Sequence, residues 1–561
     1  MKVSIKMSLA GLMAMAVLLA SFGVFFNSSP VALAAADATI RGTVTDGAGK
    51  PVRGAFVRAT MGTKSIARYS DRDGRFQIAG LQPGSYAVSA DAFGFGLKTQ
   101  TKDTAQAGEV KFSLSPDTDP IRLTSAEVEY LLPDTEEGKL VKSSCSGCHG
   151  FATVLKRRGM TAPVWKMFLP TMTERKFARN LGFGEPERVA AYAGALEKFF
   201  GPGAPLGPGA AADLMKIKHT PLSDAALRAT ITEYTIPTPG AMAHSIIVDS
   251  QRGTVWFSEY DAPSNKIARF DPDTEKFQEF PIPVPGALAH TGAILKDGTY
   301  MVAFDKVGHP VKLASVDRAG KMTLYEWPEK KQGSRVVALD PTNENRVWIV
   351  AGEETWSLDV KTKQFKAFKN PVPDGFPEGS QAALLARPGE RPGSAGYALA
   401  VDSKGIPWIT QLALGTIVRL DPATGETKVY HTPKMRSARG IAVDAQDNIW
   451  VADYYGNKLA KMDAKTGEVK LYQPPTPHAA PYGVTFDPRR GHMWYADTVG
   501  NNITRFDPKT EQFVEYAIPT PDSSVRFMGV DAKGRAWYGG FWSGKLGVID
   551  PGESAPMTAS R

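Results

Sequence analysis

Ile236-Pro-Thr-Pro-Gly-Ala-Met-Ala-His244, Thr254-Val-Trp-Phe-Ser-Glu259 and Asn265-Lys-Ile-Ala-Arg-Phe-Asp271 make up one unit of a pattern that runs to the end of this 561-residue chain. An aspartate turn follows an apolar strand at Asp271, Asp317, Asp359, Asp421, Asp463, Asp507 and Asp550. Aromatic residues that close a strand before a corner recur at Tyr234, Phe280, Tyr325, Phe368, Tyr430, Tyr472 and Tyr516. Each series has seven members, but the aromatic one starts a step earlier: the strand around Tyr234 precedes any aspartate turn, and the turn at Asp550 has no strand after it. A sheet repeat with this offset can close on itself. The early strand then completes the last blade of a seven-bladed β-propeller over 230–551, which removes the free edges.

Each repeat opens on an inner strand, and its starting positions are His244, His290, Arg335, Tyr397, Arg439, Tyr482 and Arg526, none of them aliphatic. Such positions can face the central channel, so they predict a polar ring near one mouth. Toward the end of the next strand stand Glu259, Asp305, Gln411, Asp453 and Asp497, which predict a second, acidic ring. The same spacing of 15 residues links His244 to Glu259, His290 to Asp305 and Tyr482 to Asp497. Bases, carboxylates and guanidinium groups converging on a concave surface are the ingredients of a ligand site, with Glu259 and Asp305 as metal candidates. Propeller channels also carry polar residues that hold water and join blades, and for any single residue that reading stands beside the functional one.

The unit quoted first resembles the streptogramin B lyase (virginiamycin B lyase) family, and the resemblance covers nearly all of the C-terminal zone. It implies an elimination that opens a cyclic depsipeptide, with magnesium held by acidic residues and a histidine base. On that resemblance His290 matches the base, His244 the substrate-contacting histidine and Asp305 one metal-binding acid. Leu288 stands where the family has its other metal-binding glutamate, and with His244 taken as the base that place falls to Met242. An aliphatic side chain cannot replace a hard oxygen ligand of Mg2+.

The chain's two cysteines stand in Cys145-Ser-Gly-Cys148-His149. Two thiols at this spacing can each bond a haem vinyl group while the adjacent imidazole reaches the iron, so the motif predicts covalent haem c with His149 as an axial ligand. A redox disulfide or half a zinc site is the competing reading. Around the motif, 124–201 switches to helical periodicity: Val189, Tyr192, Leu196 and Phe199 share a face, and helices are expected over 134–143, 165–177 and 187–200. The zone resembles small all-helical cytochrome c domains. Met160, Met167 and Met172 compete for the distal position, and Trp165-Lys-Met-Phe-Leu-Pro-Thr-Met172 looks like the stretch in which related cytochromes place that ligand, which favours Met172.

Lys2 and Lys6 precede an apolar run from Leu9 to Phe26 and a small-residue site Ala32-Leu33-Ala34, so 1–34 reads as an export signal, with an uncleaved membrane anchor as the alternative. Over 38–116, period-two strands are punctuated by Asp46-Gly47, Asp73-Gly74 and Pro83-Gly84, the pattern of a small β-sandwich. Gly42-Thr-Val-Thr-Asp46, Gly49-Lys-Pro51, Ala55-Phe-Val57, Asp71-Arg-Asp-Gly74-Arg-Phe76 and Leu81-Gln-Pro83-Gly84-Ser-Tyr86 resemble the carboxypeptidase regulatory-like domain, of transthyretin-like fold. Glycine and proline dominate 201–212, which marks a hinge at the start of a linker over 202–229.

The fold class expected is therefore multidomain and mainly β. With 66 Lys and Arg against 58 Asp and Glu, the net charge is +8, but the basic residues are scattered and the chain reads as exported, which argues against nucleic acid as partner. The function expected is electron transfer in the periplasm by a haem c protein, with a redox partner protein in the cell envelope and a propeller that binds or transforms a small molecule. A lyase with an appended cytochrome and a non-catalytic adaptor are the alternatives.

Overall fold

The structure, a computed structural model, describes residues 38–145, 150–174, 185–260, 264–305, 308–328, 333–386, 390–393 and 396–553. Among these, seven sets of four antiparallel strands make up the region from residue 230 onward, six as separate four-stranded sheets and the seventh as part of a larger one. Their inner strands are Ala243–Val248, Ala289–Ile294, Val336–Leu339, Gly396–Val401, Ile441–Val443, Pro481–Asp487 and Met528–Val530, which we number as blades 1 to 7. Each inner strand touches the next, and that of blade 7 touches that of blade 1, so the ring is closed. The outer strand of blade 7 is Thr230–Thr235, from the other end of the domain. It pairs with Lys545–Asp550 from Lys545↔Thr235 to Asp550↔Thr230, as the offset between the two sequence series requires.

The seven periodic aspartates close the turns after the third strands. Their carboxylates accept backbone N–H groups two to four residues on, as from Asp273 to Asp271 at 3.0 Å, Lys321 to Asp317 at 2.8 Å and Gly552 to Asp550 at 2.9 Å. The second strands carry fully buried aromatics: Trp256, Trp348, Trp408, Trp450, Trp494 and Trp537, with Tyr300 in blade 2. Truncating such a side chain to alanine costs about 3–5 kcal/mol. In blades 3, 4, 5 and 7 the indole N–H is satisfied by an aspartate at the preceding turn, Asp340, Asp402, Asp444 and Asp531, at 2.8–3.1 Å.

The N-terminal sandwich packs Ala38–Asp46, flanked by Arg75–Leu81 and Val110–Leu114, against a second sheet of Lys64–Tyr69, Phe56–Met61, Ser85–Ala92 and Phe95–Asp103. That second sheet does not end in solvent. Lys64–Tyr69 pairs with the outer strand of blade 7, from Lys64↔Tyr234 to Arg68↔Thr230, so sandwich and blade share one eight-stranded sheet.

Between sandwich and propeller lies a unit of short helices, Ser125–Val128, Glu136–Cys145, Ala152–Leu155, Ala162–Phe168 and Pro186–Phe200, around Val141, Phe151, Trp165, Tyr192, Leu196 and Phe199. The closing helix buries the expected face. The helix expected over 165–177 instead begins at Ala162 and gives way to a 3₁₀ turn at Leu169–Glu174, where Pro170 cannot continue the ladder. The linker is not a loose hinge: Leu206 is buried in the helical core and Ala212 N–H donates to Thr118 O at 2.6 Å. Among the described residues no helix is long and apolar enough to cross a membrane, and the segment 1–34 lies outside them.

Candidate functional site

The seven ring positions do converge at one mouth of the propeller. Adjacent inner strands are stitched there through backbone bonds, Thr291 N–H to Arg335 O at 3.0 Å, Gly483 N–H to Arg526 O at 3.0 Å and Phe527 N–H to His244 O at 3.3 Å. The glycines after Arg439 and Tyr482 permit this approach: a Cβ on Gly440 would stand 2.2 Å from Tyr482 O, and one on Gly483 2.7 Å from Arg526 O.

On one side the imidazoles of His244 and His290 are 4.1 Å apart, centroid to centroid, and Tyr260, Phe527 and Phe541 enclose His244 at 4.9, 5.6 and 5.7 Å. Burial pushes the His290 imidazole down to about 3, with Asp305 opposing, and pushes His244 well below its usual range, helped by His290 and the ring arginines. Both are neutral near pH 7. On the other side the Tyr397 and Tyr482 hydroxyls meet at 2.6 Å. Arg439 donates to Tyr397 Oη at 3.2 Å and lies 3.7 Å over the Tyr482 ring and 4.0 Å over that of Tyr454. Arg526 donates to Tyr482 Oη at 3.0 Å. Burial raises both phenols, but at Tyr482 Arg439, Arg526 and the Tyr397 hydroxyl more than offset it and bring the group down to about 7. Arg335 bridges the two sides, 3.5 Å from the Asp305 carboxylate and over the Tyr397 ring.

The acidic ring does not form. Of its five members only Asp305 reaches the mouth, where Arg335 and the Tyr260 hydroxyl, at 3.4 Å, engage it. Asp453 accepts backbone N–H groups of Ser437 at 2.8 Å and Gly456 at 3.0 Å, and Asp497 those of Ala480, Gly500 and Val499 at 2.9, 3.0 and 3.2 Å. Gln411 is bonded to Pro371 O and Thr416. Glu259 is buried within blade 1 beside Glu279, where burial and the second carboxylate raise it to about 7. Asp453 and Asp497 thus fold back to hold the connectors at Ser437 and Ala480, whose N–H groups lack partners in the sheets.

Magnesium therefore does not fit the pair Glu259 and Asp305. One acid turns into its own blade and the other already pairs with a guanidinium. Leu288 sits beside Asp305, its carbonyl accepting the Asp305 N–H at 3.0 Å, so the place of a second carboxylate is aliphatic. Among the described residues no cluster of three or more His, Cys, Asp and Glu is gathered as for a metal ion.

The helical unit roofs this same face. Ala126 N–H donates to Val499 O at 3.1 Å, His478 pairs with Glu129 at 3.0 Å, and Lys156 bonds Asp522. A cavity of about 310 Å³ lies beneath it, lined by Glu129, Lys139 and Lys142 above and by Gln381, Arg436 and Tyr454, among others, below. Lys139 and Lys142 belong to the helix that ends at Cys145, of which only the backbone is described, as for Met172. Cys148 and His149 lie outside the described residues. The chain resumes at Gly150, against Ser125 and Val499. Met167 is 71% exposed and Met160 packs on the helical core. In that core the indole N–H of Trp165 is buried without a hydrogen-bond acceptor among the described residues. An orphaned donor in the core that also holds Val141, on the helix leading to Cys145, fits a buried prosthetic group that carries acceptors.

Sequence reasoning missed Tyr260, Tyr454, Phe527 and Phe541. Three of these had a signal: each stands one residue past the second-strand position occupied by Glu259, Asp453 and Gly540.

The model of the virginiamycin B lyase family matches residues 384–555, and that of the carboxypeptidase regulatory-like domain matches 39–115. The helical unit lies outside both ranges. Comparison with curated proteins finds no match. Among solved structures, a streptogramin B lyase superposes with a TM-score of 0.50 at 20% identity, over 58% of this chain and 99% of that one. Selenomethionine-substituted virginiamycin B lyase from Staphylococcus aureus gives 0.49 at 19%, over 57% and 99%. The likeness at 0.50 is one of fold: this chain carries a propeller similar to that of streptogramin B lyase, C-terminal to a carboxypeptidase regulatory-like domain.

Proposed function

We propose that the protein is an exported haem c electron carrier whose propeller is a ligand cup roofed by the helical unit that carries Cys145. One observation carries this reading: the helix that leads into Cys145 and the residue that follows His149 both lie on the propeller face that bears the ring. Cys145 and Cys148 would hold the haem by thioethers, His149 one axial position and Met172 the other. Haem bound there supplies a one-electron iron centre. The chain's own part is to bind a small molecule in the ring, keep it beneath the helices and present a mildly basic surface to a redox partner in the envelope. The test is the reduced-minus-oxidised spectrum of protein exported from a host competent in cytochrome maturation. Wild type is expected to show a Soret band that the pair Cys145→Ser, Cys148→Ser lacks; two free thiols in wild type would sink the proposal.

A second reading, a lyase acting on a cyclic depsipeptide, is favoured by the family match over 384–555 and by the neutral pair His244 and His290. It requires proton abstraction by His290 without the family's metal site. Linearisation of a cyclic depsipeptide that survives chelation and is lost in His290→Ala would support it, and absence of any linearisation would end it.

A further inference from the structure

The ring concentrates positive charge and leaves part of it unused. Arg335 has Asp305. Arg439, only 6% exposed, has its Nη1 buried with no hydrogen-bond partner among the described residues, and the buried Nδ1 of His244 likewise has none. An unsatisfied buried polar group is costly, and more so when charged. At a ring that faces a channel, a ligand acceptor would remove that cost.

Shape narrows the ligand. Phe527 lies between Tyr482, at 5.4 Å, and His244, at 5.6 Å, while Phe541 lies 4.4 Å from the Arg526 guanidinium carbon. Guanidinium and aromatic wall are thus adjacent. Tyr454 carries the site from Arg439 into the cavity beneath the helices, whose walls add Lys139, Lys142 and Arg436, while its acid, Glu129, pairs with His478.

We propose that the ring is a receptor for the carboxylate of a small organic acid with a flat apolar body, its oxygens taken by Arg439 alongside Arg526 and its body lying against Phe527 and Phe541. The inference deepens the reading of the propeller as a ligand cup and rests on it. A planar carboxylate matches the guanidinium fork, and the aromatic wall favours an apolar body over a fully hydrated inorganic oxyanion.

The test is calorimetric titration of the full exported holoprotein with benzoate, acetate and inorganic phosphate. Benzoate is expected to bind saturably and more tightly than acetate or phosphate, and Arg439→Gln to weaken it about tenfold or more, the loss of a charge-assisted pair. Phosphate as the tightest of the three, benzoate without saturation, or unchanged affinity in a folded Arg439→Gln would each overturn the proposal. If Arg439→Gln loses its cooperative melt, Arg526→Gln is read in the same way, with about tenfold weakening expected. The Soret band of the same samples separates the two claims: haem without benzoate binding refutes this inference alone, and benzoate binding without haem refutes the electron-carrier reading alone.

Discussion

The hydroxyls of Tyr397 and Tyr482 meet at 2.6 Å although 85 residues separate them. They come from the inner strands of blades 4 and 6, and Arg439 of blade 5 lies over both rings. The guanidinium groups of Arg439 and Arg526 favour ionisation of Tyr482, while burial holds Tyr397 protonated.

Tyr482 is expected to titrate near neutrality. Its phenol is brought down to about 7, set by burial against Arg439, Arg526 and Tyr397, whereas an unfolded tyrosine ionises near pH ~10. A depressed value favours the fold fully above the unfolded value and is lost as pH falls through 7, so stability gains between about pH 7 and 10. The near-ultraviolet tyrosinate band should rise with a midpoint about 7 in wild type and not in Tyr482→Phe, whose melting temperature should lack the gain. A phenolate band appearing only above pH ~9 would contradict the assignment.

Asp497 presents the opposite sign. Burial raises its carboxyl to about 6 against three backbone N–H groups, all donating to Oδ1. A raised value favours the fold below the ordinary aspartate value of about 4, and the gain disappears as pH rises through 6. Asp497→Asn keeps the accepting oxygen and removes the charge. Its unfolding free energy should equal or exceed that of wild type above pH 6 and vary less below it, as measured by urea melts across pH.

The proline corners carry a second staple. Thr238, Thr476 and Thr520 donate through Oγ1 to Glu279, Glu515 and Glu233 on the outer strand of the blade each corner enters, at 2.9, 2.7 and 2.6 Å. Thr476→Ala leaves Glu515, already raised to about 7 by burial, short of a donor. The expected loss is about 1–3 kcal/mol in thermal or urea unfolding, and Thr476→Ser should restore most of it.

Pairing of Lys64–Tyr69 with Thr230–Thr235 should be measurable from the propeller side. Ala67 faces Ile231, and its strand is paired on both edges, so Ala67→Pro breaks the ladder. Amides of 230–235 are expected to exchange with deuterium faster than in wild type, while those of Ile449–Asp453 in blade 5 stay protected. Equal protection in both would mean that the sandwich contributes nothing to closure.

The ring was legible because every inner strand starts at an equivalent place: a period fixes position, and position fixes which way seven backbones aim. Rotamers carry no such periodicity. Asp497 and Asp305 share a register, yet one turns back to bind Ala480 N–H and the other goes forward to Arg335. The choice depends on whether the adjoining connector needs an acceptor, which spacing does not encode. Tyr454 was missed for a related reason, since the acid before it drew the alignment one residue short.

Strand sharing between sandwich and blade 7 also bears on how the chain assembles. Residues 230–235 leave the ribosome some three hundred positions before their partners at 545–550. Lys64–Tyr69 is synthesised first and can hold that lone segment flat, with its other edge turned outward. Through this pairing the amino-terminal module can hold the first piece of the circle in place until the last arrives.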